Sequence, residues 1–320
     1  MTSRLTIACV ALILALGFPA KAGSSSANPS KGPNVLRHHY SIGARIRPLV
    51  MFWIGRSGVG EAIVTKREGP SEAAYSLLIG SNPERAPRRI NRWGYIREDI
   101  EGSKATLIGL MTESDEDSIE QAEANIVRQA AGERTFKIIR GTVDADEAKS
   151  NLTVIAAPAE YSYRKVQTVL DLAKRQSSED QTRARVIRLP PGTRAGFLAA
   201  VAELMHRHVE QWRASGRVQP NASVNYVYYG RIYRLSATRT RPLPNVRLSG
   251  ASYTRAIASD FEATSAYDGE VTKFSITYGT EGPLAEIPLA ASYRPRWWME
   301  IDLTLDDIGG ESALGDVLDP

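Results

Sequence analysis

Two carboxylates and a tryptophan share one face of a predicted strand near the end of the chain. Trp298, Glu300 and Asp302 follow one another at intervals of two residues, and side chains at that interval point to the same side of a strand. Neighbours of this kind lie about 7 Å apart. Two carboxyl groups at such a distance can cleave a glycosidic bond while an aromatic ring stacks on the sugar. The same pattern also fits a solvated strand face, so the hydrolase stays an alternative.

A second candidate site is the segment 84–95, which is rich in arginine, proline and aromatic residues. Arginine, tryptophan and tyrosine are common in binding surfaces, and prolines lower the entropy that a loop loses when it binds. The segment predicts a surface for a partner, although its arginines could instead pair with the acidic stretch 99–150. The predicted binding residues are Arg88, Arg89, Arg92, Trp93, Tyr95 and, from the last strand, Trp298.

Histidine and cysteine, two common ligands of transition metals, are scarce in this sequence, which has four histidines and one cysteine. His206 and His208 lie two positions apart on a predicted helix and so point about 200° away from each other. They cannot bind one metal ion together, which needs a spacing of three or four residues. The helical phase puts His208 on the apolar face with a hydrogen-bond partner and His206 in solvent. The sequence predicts no metal and no cofactor.

The first 22 residues have the pattern of a secretory signal peptide. Arg4 precedes an apolar run over residues 5–18, and Ala20-Lys21-Ala22 fits a cleavage site with small residues. Cleavage after Ala22 would leave a mature chain without cysteine that is secreted or periplasmic. The segment 23–38 is predicted to be a flexible leader. No later run reaches the roughly 20 apolar residues that a transmembrane helix needs.

Hydrophobic periodicity divides the remaining sequence into regions of different type. Residues 39–112 and 217–306 show strand patterns, including a run from Ile42 to Ile54 and a hairpin signal at Tyr267-Asp268-Gly269. Residues 113–216 mix strands with three helical patterns, and 307–320 form an acidic tail. The predicted fold is α+β, with mainly antiparallel β-sheet in the N- and C-terminal regions and a mixed, helix-containing middle segment.

The three helical patterns of the middle segment begin near Ser114, Tyr163 and Arg194. In each, apolar residues recur every three or four positions, as in a helix with one buried face. Gly216 is predicted to end the last and longest of them at Ser215. Whether the two β regions share one sheet is left open by the sequence.

The charge pattern bears on the class of partner. The formal net charge is +4, but positive blocks at 31–98 and 151–247 alternate with negative blocks at 99–150 and 248–320. Such blocks can neutralise one another in the folded protein, so the net charge alone does not indicate a polyanion partner. Export argues against nucleic acid. We expect a non-catalytic protein that binds an envelope or extracellular macromolecule, such as a glycan or an anionic polymer.

Export can be tested at the N terminus. We expect the mature protein to begin at Gly23, because cleavage follows Ala22 in the signal-peptide pattern. N-terminal sequencing or intact mass of the protein exported by a bacterial host checks this. Recovery of the chain in the membrane fraction with residues 1–22 still attached would instead show an uncleaved anchor.

Overall fold

Antiparallel strands make up most of the molecule. The computed structural model describes residues 34–47, 53–86, 91–112, 132–176, 184–218, 221–248, 251–297 and 299–306. The strands are β1 (Asn34–Ile46), β2 (Ile54–Glu68), β3 (Glu72–Ser81), β4 (Trp93–Glu101), β5 (Lys104–Thr112), β6 (Glu133–Asp144), β7 (Glu147–Pro158), β8 (Arg185–Arg188), β9 (Ser223–Tyr228), β10 (Arg231–Leu248), β11 (Ala251–Ser265), β12 (Val271–Gly279), β13 (Pro288–Arg296) and β14 (Met299–Leu305). The α-helices among these residues are α1 (Val166–Gln176) and α2 (Phe197–Ser215).

The fourteen strands of the described residues belong to one sheet, in the order β8-β7-β6-β5-β4-β3-β2-β1-β14-β13-β12-β11-β10-β9. β1 pairs with β14 from Tyr40 opposite Leu305 to Ile46 opposite Met299, and this pairing joins the two β regions. Every neighbouring pair is antiparallel. The prediction of a mainly antiparallel β protein is therefore confirmed, and the strands of the middle segment extend the same sheet.

The run from Ile42 to Ile54, predicted as one strand, is two strands. β1 ends at Ile46 and β2 begins at Ile54, and these two residues face each other in the antiparallel register. Both strands have strand-like sequences, so hydrophobicity alone does not show where the first strand ends and the second begins. β1 also starts at Asn34, inside the segment 23–38 that is predicted to be a leader.

Several predicted segments lie outside the described residues. They are the signal peptide 1–22, the first helical pattern, which begins near Ser114, and the acidic tail 307–320. The other two helical patterns correspond to α1 and α2. Gly216 follows α2 with a φ of 63°, and its N–H donates to the Trp212 carbonyl at 2.8 Å, as expected of the residue that ends a helix. Among the described residues no helix is both long and apolar enough to cross a membrane.

The central parts of strands β2 and β3 are covered on both faces, which explains the unbroken apolar runs 62–64 and 77–79 in their sequences. Ala62 and Val64 belong to the core around α2, whereas Ile63 between them packs in the core under α1. The same alternation recurs in β3, where Leu77 faces α2 and Leu78 faces α1. The core around α2 also takes residues from β9 to β14, so both halves of the sheet enclose this helix.

The two edges of the sheet approach each other through the segment between β8 and α2. Arg194 donates its N–H to the Asn225 carbonyl at 2.8 Å and accepts from the Val227 N–H at 3.1 Å, both on edge strand β9. Val227 also packs with Leu107 of β5 in a shared apolar cluster. The sheet therefore curls around α2 until its last strand contacts its first half.

A buried carboxylate binds the N terminus of α2. Glu98 of β4 is 1 % exposed, and its two oxygens accept the N–H groups of Leu198 at 2.7 Å and Ala199 at 2.9 Å. The N-cap residue Gly196 has no side chain, and a Cβ there would lie 2.2 Å from the Glu98 carboxyl carbon. Because Gly196 has no side chain, the Glu98 carboxyl group has room to accept the first-turn N–H groups. Its position at the helix N terminus is also favourable for interaction with the helix dipole.

Burial raises the pKa of Glu98 to about 7, although the α2 amides act in the opposite direction. A carboxyl group with a raised pKa binds protons more strongly in the folded than in the unfolded protein. Its contribution to stability is fully present below its ordinary pKa of 4.5 and is lost as the pH rises through about 7. Glu98 therefore stabilises the fold most in acid.

Replacing this carboxyl group should change the pH dependence of stability. We expect Glu98→Gln to lower the free energy of unfolding. The difference from the wild type should be up to about 3 kcal/mol smaller at pH 7.5 than at pH 4.5, because glutamine does not titrate. Urea unfolding at the two pH values measures the difference. A cost that stayed constant or grew with pH would contradict the burial of an ionisable group at this position.

Candidate functional site

Two of the residues predicted to bind a partner lie in the interior. Trp93 is 0 % exposed, its ring centroid is 5.2 Å from that of Phe136, and its Nε1 donates to the Tyr161 carbonyl at 2.9 Å. Tyr95 is also buried in the core that α1 covers. Neither ring can contact a partner, because both occupy the α1-facing side of β4 at alternate positions.

The rest of the predicted segment is partly described. Arg88 and Arg89 lie outside the described residues. Arg92 is half-buried, and its backbone N–H and carbonyl both bond to Ser81, the last residue of β3. Asn91 donates to the carbonyls of Ala159 and Tyr161. The end of this segment is therefore fixed against the sheet.

The predicted catalytic carboxylates form an ion-pair network on the face of the sheet opposite α2. Arg45 binds Glu300 through Nη2 at 2.9 Å and Asp302 through Nε at 3.0 Å. Arg294 binds the other oxygen of Glu300 at 3.0 Å. Both carboxylates thus have internal partners, as in a structural network of charges. Trp298 lies outside the described residues.

This network lies near two tryptophans at one end of the sheet, one half-buried and one exposed. The Arg294 guanidinium lies 5.2 Å from the centroid of the half-buried Trp53 ring, and that of Arg47 lies 6.0 Å from it. Trp297, in the turn between β13 and β14, is 59 % exposed. Trp53, which precedes β2, and Trp297 lie at the same end of the sheet because Ile46 pairs with Ile54 and with Met299. We call Arg47, Trp53, Arg294 and Trp297 the tryptophan–arginine tip.

A second polar region lies inside the curled sheet, on the C-terminal half of α2. His208 is completely buried, and its Nδ1 is hydrogen-bonded to the Tyr278 hydroxyl at 2.7 Å. That hydroxyl lies 2.9 Å from the Ser259 hydroxyl. The structure thus places His208 on the apolar face with a hydrogen-bond partner, as the helical phase indicates. Burial, with a smaller effect of Arg207, lowers the pKa of His208 to about 4.

His206, expected in solvent, also has a partner from the interior. Its Nδ1 lies 3.1 Å from Oε1 of Glu286, a residue that is 0 % exposed. Glu286 lies in the connection between β12 and β13, where its N–H donates to the Gly279 carbonyl at 2.8 Å. Burial raises the pKa of Glu286, and the charges of His206, Lys66 and Arg213 oppose that shift.

Lys66 supplies a buried positive charge to the same region. It is completely buried, pairs with Glu68 and interacts electrostatically with Glu286. Burial lowers its pKa to about 8. Neither Lys66 nor Glu98 is among the residues predicted from sequence, yet each continues an inward-facing series, Lys66 after Val64 and Glu98 after Ile96. A charged residue at an inward position of a strand is the signal that could have identified them.

Comparisons with known proteins give no relative from which a function could be transferred. No protein-family model, curated protein or solved structure matches the chain. The function has to be inferred from the two regions described above, the tryptophan–arginine tip outside and the polar groups around α2 inside.

The buried histidine makes stability depend on pH in the opposite direction to Glu98. Its lowered pKa means that the fold loses stability as the pH falls from about 6.5 to about 4, because only the unfolded chain readily accepts the proton. We expect His208→Leu to be mildly destabilising at pH 7. Between pH 7 and pH 4 the variant should lose about 3 kcal/mol less of its free energy of unfolding than the wild type does. Urea unfolding at pH 7 and pH 4 measures it. An unchanged acid loss in the variant would show that His208 does not titrate in this range.

Proposed function

We propose that this protein is an exported, non-catalytic binding protein that recognises an acidic glycan through the tryptophan–arginine tip. The observation that carries the proposal is the exposure of Trp297 at the same end of the sheet as a second tryptophan, Trp53, whose ring lies near two guanidinium groups. Large exposed aromatic residues next to arginine are typical of binding surfaces.

The chemistry of the tip suits a sugar that carries negative charge. A tryptophan ring offers a flat apolar surface on which the C–H face of a sugar can stack, and a guanidinium group can bind a carboxylate or phosphate with two parallel hydrogen bonds. Glu300 binds Arg294 while Arg294 contacts the Trp53 ring. Because these contacts already order the arginine, less conformational entropy is lost on binding.

The alternative function, a glycan-directed hydrolase, has less support. Its acid and base would be Glu300 and Asp302, and Arg45 binds both of them. In the proposed binding protein Glu300 and Asp302 have a different role. They pair with Arg45, and Glu300 also pairs with Arg294 and so orients this arginine of the tip.

The predicted export and the fold are both consistent with a binding role. The signal-peptide pattern of residues 1–22 supports a secreted or periplasmic location, where glycans and anionic polymers of the envelope are accessible. The α+β middle segment, 113–216, supplies the helix α2 around which the sheet curls. The curl leaves the tip at one end of neighbouring strands β13, β14, β1 and β2.

Binding by the tip can be tested with two single variants and a matched control. We expect Trp297→Ala and Arg294→Gln each to weaken binding to an array of carboxylated and phosphorylated glycans by about tenfold or more. Tyr267→Ala is the control, because Tyr267 is also exposed and contacts Arg231 but lies in the β11–β12 turn. Thermal unfolding should be nearly unchanged in Trp297→Ala.

Two results would contradict the proposal. Equal losses of binding in Trp297→Ala and Tyr267→Ala would show that the tip has no special role. Release of reducing sugar by the wild-type protein, abolished in the double variant Glu300→Gln/Asp302→Asn, would favour the hydrolase instead.

A further inference from the structure

Three potential metal ligands converge at the C-terminal half of α2. His206, Glu210 and Glu286 each offer one ligand atom, and these atoms lie within 4.8 Å of one another. His206 and Glu210 are four residues apart, so they project from the same side of the helix. Glu286 comes from the connection between β12 and β13, which packs against them. The sequence-based expectation of no metal did not consider the His206-x-x-x-Glu210 spacing.

An independent observation points to a ligand at this place. Glu286 is completely buried, and while its Oε1 contacts His206, its Oε2 has no hydrogen-bond partner among the described residues. A buried carboxylate oxygen without a partner is costly, because the group has given up its hydration without compensation. A cation bound between the three side chains would compensate this oxygen.

The backbone that presents Glu286 is also unusual. Its φ is 63°, in the left-handed region that residues other than glycine rarely adopt. The connection is held tightly there, since a Cβ at Gly279 would lie 2.2 Å from the Leu284 carbonyl oxygen. The fold therefore maintains an unfavourable backbone conformation that directs this carboxylate towards α2.

Positive charges nearby would also fit a purely structural ion-pair cluster. Lys66 and Arg213 interact electrostatically with Glu286. Arg213 donates from Nη1 to Glu210 at 2.8 Å and from Nη2 to the Thr280 carbonyl at 3.1 Å. These contacts balance charge, but they do not account for the convergence of an imidazole and a second carboxylate on Glu286. Glu210 is 53 % exposed and could exchange Arg213 for a metal ion.

We propose that His206, Glu210 and Glu286 bind one divalent transition-metal ion of the Zn²⁺ type. One imidazole nitrogen and two carboxylate oxygens suit zinc better than magnesium or calcium, which prefer all-oxygen sets. Three protein ligands leave a position for water, which can enter beside the exposed Glu210. The site is separate from the tryptophan–arginine tip and does not rest on glycan binding.

Zinc titration of the full chain tests the proposal. The protein is purified without a polyhistidine tag, treated with EDTA, dialysed and titrated by calorimetry with Zn²⁺, and in parallel with Mg²⁺. We expect one Zn²⁺ per chain, no measurable heat from Mg²⁺, and a melting temperature that rises with Zn²⁺. His206→Ala and Glu210→Gln should each weaken Zn²⁺ binding at least tenfold.

Two control variants show whether zinc binding is specific to these three side chains. Glu203→Gln alters another glutamate of α2, which pairs with Arg194 and Arg207, and it should leave Zn²⁺ binding unchanged. Trp297→Ala should also bind Zn²⁺ normally. A failure of the glycan-binding proposal can therefore be distinguished from a failure of the zinc-binding proposal. Absence of stoichiometric Zn²⁺ binding in the wild type, or equal binding in the wild type, His206→Ala and Glu210→Gln, would overturn the proposal and leave a structural ion-pair cluster.

Discussion

The contact between Glu98 and the first turn of α2 determines how the two halves of this protein fit together. It joins a strand from the first half of the sheet to a helix that also packs against strands of the second half. A helix enclosed by a sheet cannot satisfy its first amides with water, so a group from the sheet has to do so. Glu98 does this, and Gly196 provides the space.

The enclosed helix separates the polar chemistry of the molecule into two regions. Inside, the C-terminal half of α2 carries His206, which contacts Glu286 in the connection after β12, and His208, which contacts Tyr278 of β12. Outside, strands β13, β14 and β1 carry the network of Arg45 and Glu300 that leads to the tryptophan–arginine tip. The two ligands that we propose, a cation inside and an acidic glycan outside, belong to different regions, and neither proposal depends on the other.

Local sequence signals predict the local parts of this structure well. The helix α2 with its end at Gly216, the turn at Tyr267-Asp268-Gly269 and the alternation in β14 depend on neighbouring residues, and all three are present. The prediction of a surface position for Trp93 and Tyr95 is wrong, because a binding loop and a strand buried on both faces can have the same composition. Only the packing of α1 places them inside.

The candidate sites are less predictable because they depend on contacts between distant residues. The inward position of Lys66 follows from the strand alternation, but its proximity to Glu286 does not. Glu286 itself depends on a left-handed backbone conformation in a connection whose sequence has no metal-binding motif. The ion pairs of Glu300 are equally hidden in the sequence, since Arg45 and Arg294, which bind it, come from different strands.

Amide hydrogen exchange at Leu198 and Ala199 tests the central claim most directly. First-turn amides of a helix lack partners within the helix and usually exchange fast. If Glu98 binds them inside the curled sheet, they should exchange as slowly as the amide of Val209 in the middle of α2. Rapid exchange at both residues, with Val209 still protected, would show that the helix N terminus is open to water and would contradict this role of Glu98.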